Sequence, residues 1–244
     1  MQLGVGGGRG RFPCASEANV PDEEGRMRLL RHWPAGDRFP VVRSKFDRIL
    51  ELCQGRDVLD CGCIGAVAES LDEARHGSHE QIAKRAKYSL GIDIWKDEVE
   101  KRKAMGYNVV HGNVETMSLG RRFDVIVGAD LIEHLANPGL FLDRAREHLQ
   151  DDGILCLVTP NAQSLNTSMK SLLGARVAVN PEHTCWYDPT TLKQLLARHG
   201  FRAHEEYWQD YRKSPLVDLA VRLRPNLAAH YVVIAGKEAS RESA

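Results

Sequence analysis

One glycine-bearing motif, VLDCGCIG, follows an apolar run and could hold part of a small ligand. It carries Asp60, Gly62 and Gly65. In an open parallel sheet, ligands bind beyond the carboxyl ends of the strands, and a glycine there lets the backbone come close to the ligand. The motif alone is equally consistent with an ordinary turn after a strand, so the hypothesis needs support from the motifs that follow.

Two further motifs add groups suited to binding a nucleoside. GIDI places Asp93 and Ile94 at the end of a second apolar run, where the carboxylate could accept hydrogen bonds from both hydroxyls of a ribose. HGNVETM places Asn113 and Val114 after a third run, where the amide could meet an adenine amino group and the valine could lie against the ring. A solvated acid and a plain loop are the alternatives. Taken with the first motif, the spacing predicts that Asp93 binds ribose.

Alternating strands and helices are predicted to position these motifs. Continuous apolar runs separated by helical segments are typical of a mostly parallel sheet that is covered on both faces. The predicted strands are Arg56–Cys61, Tyr88–Ile94, Tyr107–Asn113, Arg122–Asp130, Asp152–Asn161, Phe201–Asp210 and Ala228–Lys237. The predicted helices are Val41–Cys53, Ser70–Lys87, Asp97–Gly106, Pro138–Leu149 and Thr190–Gly200. Residues 163–188 and 211–227 interrupt the alternation, and we expect them to form a lid or a substrate wall.

The composition is that of an ordinary globular chain of 244 residues. Thirty-three basic residues balance 33 acidic residues, so the formal net charge is zero. This argues against a nucleic-acid partner that is bound through a large positive net charge. Scattered cysteines and the lack of an apolar leader favour reduced thiols in a cytoplasmic protein, and no apolar run is long enough to predict a membrane partner. We expect a flexible tail over residues 1–25 and one domain over residues 26–240, and the oligomeric state stays open.

A fourth motif, FDVIVGADLIEHL, follows the other three. Over residues 41–210 the chain resembles the class I S-adenosylmethionine-dependent methyltransferases, which share this order of motifs and a TPN after the fifth strand. The resemblance implies an α/β, Rossmann-like, seven-stranded and mostly parallel sheet of order 3-2-1-4-5-7-6, with helices on both faces. It also implies S-adenosyl-L-methionine as the cofactor. The cofactor-binding residues that it implies are Asp60, Gly62, Gly65, Asp93, Ile94, Asn113, Val114 and Asp130.

Two positions depart from the family pattern. Asn113 stands where the family usually has an aspartate beside adenine, which is a mild change. Ile64 stands at the middle glycine of the family's D-x-G-x-G-x-G loop. Because a β-branched residue adopts a positive φ only at a cost, we expect this loop to be rebuilt or cofactor binding to be weakened. A dinucleotide is disfavoured, since the loop lacks the G-x-G-x-x-G spacing.

A second resemblance concerns Asp130, Glu133, His134 and the distant His183. Small-RNA 3′-end 2′-O-methyltransferases and some ubiquinone-pathway O-methyltransferases carry a similar E-x-x-E-H with a distant histidine that binds a divalent cation. A hard cation such as Mg or Mn would lower the pKa of an acceptor hydroxyl and fix its orientation. The alternative is that the histidines meet the acceptor directly or act as a general base. In both cases the predicted catalytic residues are His134 and His183.

These features together predict O-methylation of a small-molecule acceptor. Trp186 and Tyr187, beside His183, could line the acceptor pocket. One alternative is a catalytically impaired cofactor-binding or scaffold protein, which the departure at Ile64 suggests. The other is an RNA 2′-O-methyltransferase, which the cation-site resemblance suggests and the neutral charge disfavours.

Other polar and apolar features are predicted to serve structure. Cys61 and Cys63 lack a second pair at zinc spacing, which favours small apolar packing residues. His76 and His79 are expected to be solvated or to cap a helix. A stripe at helical spacing indicates an ordinary helix face, with a roof over a substrate pocket as the alternative, and its members are Leu165, Met169, Leu172 and Leu173.

Overall fold

The computed structural model of the chain describes residues 39–42, 44–64, 72–177, 180–210 and 214–238, with residues 72–78 described by their backbone alone. The tail predicted over residues 1–25 lies outside the described residues, as do Gly65 and the side chain of His76. The structure therefore does not test those three expectations.

The described residues build one mostly parallel sheet of eight strands. Its order is β1-β7-β8-β6-β5-β2-β3-β4, and β8 runs antiparallel to both of its neighbours. The strands are β1 (Val41–Val42), β2 (Asp57–Cys61), β3 (Tyr88–Asp93), β4 (Val109–His111), β5 (Phe123–Ala129), β6 (Leu149–Pro160), β7 (Phe201–Gln209) and β8 (His230–Lys237). The seven predicted strands are present in the predicted order, so the fold prediction is confirmed.

The short strand β1 was not predicted. The helix expected to begin at Val41 begins instead at Lys45, because Ser44 caps it by accepting a hydrogen bond from the Asp47 backbone N–H. The two valines before the cap pair in parallel with Trp208 and Gln209 of β7. This pairing extends the sheet by one edge strand.

Helices cover both faces of the sheet. They are α1 (Lys45–Cys53), α2 (Asp72–Arg85), α3 (Lys96–Ala104), α4 (Pro138–His148), α5 (Leu165–Leu172), α6 (Pro189–Arg198) and α7 (Pro215–Leu223), with 3-10 turns at Ile132–His134 and Pro225–Leu227. Side chains along β5 alternate between two cores: Val125 packs in the cluster that contains Ile49 of α1, and Ile126 packs in the cluster that contains Phe141 of α4. Alternation of this kind explains why the strands read as continuous apolar runs.

The two segments predicted as lid or wall each contain a helix, α5 and α7, and these helices contact each other. No residue of α5 is buried. The stripe predicted to be an ordinary helix face lies on α5 and the residue after it, and Met169, Leu172 and Leu173 are exposed. The described residues include no helix that is both long and apolar enough to cross a bilayer.

Candidate active site

The turn after β2 depends on a glycine at position 62. Gly62 has a φ of +72°, a conformation that costs residues with a Cβ. A Cβ at this position would also lie 3.1 Å from Cδ1 of Leu131, on the loop after β5. The backbone N–H of Gly62 donates to the carbonyl of Ile92 at 2.9 Å, which ties the turn to the end of β3.

Ile64 fits the turn without the strain expected from its sequence position. Asp130 is the one non-glycine residue with positive φ in the described part of the chain. The Ile64 side chain is buried against Cys63, Val99 and Val109, and its backbone N–H donates to Oδ2 of Asp93 at 2.9 Å. The expected strain is therefore absent, because Gly62 alone adopts the left-handed conformation in the described part of the turn and Ile64 points into the core.

We predict that Gly62→Ala will lower stability by about 1–2 kcal/mol through left-handed strain, and will also weaken cofactor binding. Gly106→Ala is the matched control: Gly106 has a φ of +88° with open space around its missing Cβ, at the end of α3. Calorimetric titration with S-adenosylmethionine and urea unfolding would measure the two effects. Equal cofactor affinity in both variants would show that the turn does not contact the cofactor.

A cleft of about 360 Å³ opens beyond the carboxyl ends of β2, β3 and β5, within the size range of small-molecule sites. It brings together most of the predicted cofactor residues: Gly62, Asp93, Ile94, Asn113, Val114 and Asp130. Sequence reasoning missed several of its walls, which come from loops without a distinctive pattern: Trp95, Gly112, Glu115, Leu131, Leu135, Ala136 and Glu182.

Asp93 is held in place at the centre of the cleft. The residue is buried, its Oδ1 accepts the Trp95 backbone N–H at 3.1 Å, and its Oδ2 accepts the Ile64 N–H. On the loop that follows the neighbouring strand β4, Oδ1 of Asn113 accepts the Glu115 N–H at 2.8 Å, which closes an Asx turn over the buried Val114. A fixed carboxylate and a nearby apolar side chain in one cleft suit a ribose and its attached base.

Asp60 does not line the cleft itself but a smaller cavity of about 50 Å³ that shares Gly62 and Asp130 with it. Its Oδ2 is hydrogen-bonded to Nδ1 of His79 at 2.8 Å, and both side chains are buried. The expectation that His79 is solvated or caps a helix was wrong. The imidazole and Cys63 also explain the glycine of GIDI, since a Cβ on Gly91 would lie 2.6 Å from Cys63 Sγ and 2.9 Å from His79 Cε1. Cys61 and Cys63 are buried free thiols, as predicted, and burial raises the pKa of each.

Glu133, His134 and His183 meet beside the cleft. One potential ligand atom from each lies within 4.8 Å of the other two. The two imidazoles stand edge to face with ring centroids 4.6 Å apart. The segment carrying His183 is fixed by the Thr184 backbone N–H, which donates to the Glu133 carbonyl at 2.8 Å. Three of the four residues predicted as metal ligands are thus neighbours.

Glu133 is a buried carboxylate whose second oxygen lacks a partner. Its Oε2 accepts from the Thr159 hydroxyl at 3.0 Å, whereas Oε1 has no hydrogen-bond partner among the described residues. Burial, followed by repulsion from Asp130, raises the pKa of Glu133 to about 7. The pKa of His183 is lowered by burial and then by the neighbouring His134.

Asp130 is arranged differently from the other three predicted ligands. Its carboxylate forms an ion pair with Lys45, the first residue of α1, and its Oδ1 lies 3.9 Å from Nε2 of His230. Asp130 therefore lines the cofactor cleft and forms an ion pair with a buried lysine. It is not one of the three residues that cluster as potential metal ligands. Nothing in the sequence pointed to Lys45, which lies 85 residues away along the chain.

Sequence comparisons with known proteins identify methyltransferases as relatives of this chain. A family model described as a methyltransferase domain matches residues 35–206. The chain is 35% identical over 199 residues to a ubiquinone biosynthesis O-methyltransferase of Nitrobacter winogradskyi, covering 70% of this chain and 72% of that protein. It is 27% identical over 163 residues to a probable S-adenosylmethionine-dependent methyltransferase of Mycolicibacterium smegmatis, covering 66% of this chain but only 57% of that relative.

Solved structures share the fold. A S-adenosylmethionine-dependent methyltransferase from Archaeoglobus fulgidus aligns with a TM-score of 0.58 and 20% identity, covering 79% of this chain and 91% of that one. Magnesium protoporphyrin IX methyltransferase from Synechocystis PCC 6803, solved with bound SAH, aligns with a TM-score of 0.55 and 14% identity. The alignment covers 79% of this chain and 82% of that one. With the family model matching most of the chain, the protein belongs to the class I S-adenosylmethionine-dependent methyltransferases.

Proposed function

We propose that this enzyme methylates a hydroxyl oxygen of a small molecule, and that Glu133, His134 and His183 hold a divalent cation that orients the hydroxyl. The single observation that carries the proposal is the convergence of one carboxylate and two imidazoles at the edge of the cofactor cleft. The relatives named ubiquinone biosynthesis O-methyltransferases support an oxygen acceptor.

The position of the cluster suits an acceptor site. His134 lines the cofactor cleft, and His183 lines a second cavity of about 120 Å³. Trp186, Ser164 and Asn180 also line that second cavity. Because the two histidines touch, the cluster stands between the two cavities. An acceptor in the second cavity would present its hydroxyl toward the cofactor cleft.

The donor set fits a cation. Oε1 of Glu133 is buried without a partner among the described residues, and a buried carboxylate is stable when it pairs with a positive charge. A cation would lower the pKa of Glu133 back toward its ordinary range. Carboxylate and imidazole donors are compatible with Mg, Mn and Zn, so the identity of the metal rests on measurement.

The chain's own groups perform the remaining tasks. S-adenosylmethionine, when bound, supplies an activated methyl group on a sulfonium. Asp93 and the Gly62 turn position the cofactor, and the second cavity positions the acceptor. His134 and His183 lie where they can hold the acceptor hydroxyl or accept its proton. Burial keeps His183 neutral near pH 7, which leaves a nitrogen lone pair available for a metal or a proton.

We predict that chelation and His183→Ala will each lower methyl transfer by about 100-fold or more, because both remove the group that orients the hydroxyl. The assay is methyl transfer to a panel of phenols and catechols, with metal content measured by mass spectrometry. His204→Ala, at an exposed histidine of β7, is the matched control. Stoichiometric metal lost on His183→Ala would support the cation site. Unchanged turnover after complete metal removal would refute it, and cofactor binding without transfer to any acceptor would favour a scaffold role.

A further inference from the structure

We propose that α5 and α7 together form a face that binds peripherally to an anionic phospholipid bilayer. The sequence predicts no membrane partner, and the described residues contain no helix long and apolar enough to span a membrane. A helix that lies on a membrane surface needs neither the length nor the continuous apolar run of a span. Ser164, at the start of α5, also lines the second cavity, so this face adjoins the proposed acceptor site. The exposed apolar and basic side chains that carry the inference are not used in the acceptor chemistry.

The face carries an unusual amount of exposed apolar area. Among the described residues, half of the exposed large apolar side chains lie on these two neighbouring segments, with exposed fractions of 45% to 80%. They are Met169, Leu172, Leu173, Leu216, Leu219 and Leu223. Soluble monomers rarely expose so many large apolar groups together unless the patch binds something.

Helix α7 is apolar on both sides. Val217 and Val221 turn toward the core, whereas Leu216, Leu219 and Leu223 are exposed at helical spacing on the other side. Core packing accounts for the two valines but not for the three leucines. A helix that is apolar around most of its circumference needs a second apolar environment.

The charges of the same two segments favour an anionic partner. Within residues 164–177 and 214–227 the basic residues are Lys170, Arg176, Arg222 and Arg224, and the single acid is Asp218. Asp218 is paired with Arg222 at 3.1 Å. Leucines beside an excess of cations match the two layers of an anionic membrane surface, where acyl chains lie beneath phosphate groups.

A second copy of the chain matches the face less well. A two-fold contact through α5 and α7 would bring the same surface of both copies together. The basic residues of one copy would then lie near those of the other, with a single acid per copy to offset them. Like charges brought together in an interface oppose association, so the bilayer is the favoured occupant.

Vesicle co-sedimentation of the full chain tests the proposal. The probes are vesicles of phosphatidylcholine alone and vesicles of equal parts phosphatidylcholine and phosphatidylglycerol. We expect binding to the anionic vesicles and a decline with added salt. The triple change Leu216→Ser, Leu219→Ser and Leu223→Ser should lower the bound fraction by about fivefold or more. Arg176→Glu with Arg224→Glu should do the same.

The matched control is Leu140→Ser, since Leu140 is an exposed leucine on α4, away from this face. It should bind vesicles like the unchanged chain, and circular dichroism should show that every variant is folded. No binding of the unchanged chain to anionic vesicles would overturn the proposal. So would equal binding by the triple variant. A dimer that the triple variant converts to monomer, with no vesicle binding by either, would assign the face to self-association instead.

Discussion

Glu133→Gln should abolish metal-dependent methyl transfer and yet make the metal-free protein more stable above neutral pH. The activity should fall by about 1,000-fold, because the change removes the carboxylate ligand of the proposed cation and leaves only two neutral imidazoles to hold it. The assay is methyl transfer with saturating cofactor, accompanied by measurement of bound metal. Glu100→Gln, at an exposed glutamate of α3, is the matched control and should behave as the unchanged chain does.

The stability effect follows from the raised pKa of Glu133. Its pKa rises from 4.5 to about 7 on folding, so between these pH values the native state binds a proton that the unfolded state has lost. Stability is therefore full below pH 4.5 and falls as the pH rises through 7. The shift corresponds to about 3 kcal/mol, and glutamine, which does not ionise, lacks this loss. Urea unfolding in chelator at pH 5 and pH 8 measures it, and parallel pH profiles for both proteins would contradict the account.

Asp93→Ala should weaken binding of S-adenosylmethionine by about 100-fold. We propose that the buried Asp93 carboxylate accepts hydrogen bonds from the ribose hydroxyls of the cofactor, and losing hydrogen bonds to a charged group costs about 3 kcal/mol. Calorimetric titration measures the affinity. Asp97→Ala, at an exposed acid four residues further along, should leave the affinity unchanged.

A second variant separates binding from folding at this position. Asp93 also accepts the backbone N–H groups of Ile64 and Trp95, so alanine could loosen the cleft itself. Asp93→Asn keeps one carbonyl oxygen at the site and should lose less stability than alanine while still binding the cofactor weakly. If Asp93→Asn bound the cofactor as tightly as the unchanged chain, Asp93 would be a structural residue alone.

The sheet was predictable because its signals are local. The central strands β5 and β6 contain continuous apolar runs, and the polar groups at the ends of β2 and β3 mark where those strands stop. Edges were less predictable: Val41 and Val42 fit the apolar pattern of the helix that follows, and only the distant β7 makes them a strand. The sequence gives little information about which strands pair when the two strands are far apart along the chain.

The candidate site was predictable in its carboxylates and histidines but not in their partners. The D-x-x-E-H pattern located Glu133 and His134, and His183 was found by resemblance. His79 was missed because α2 is mostly polar and shows no apolar periodicity that would mark a buried side chain. Lys45 was missed because a lysine at the start of a helix is ordinarily solvated, and its ion-pair partner Asp130 lies on the distant loop after β5.

The placement of β8 between β6 and β7 sets an order of assembly. Strands β2 to β6 form a continuous parallel unit that contains the cofactor cleft and can pair as soon as they are synthesised. β7 pairs with β8 and β1 but not with β6, so it has no place in the sheet until β8 arrives. β1, although made first, must wait for β7. A growing chain would therefore assemble the half that carries the cofactor cleft early and leave the opposite edge open until the eighth strand emerges from the ribosome.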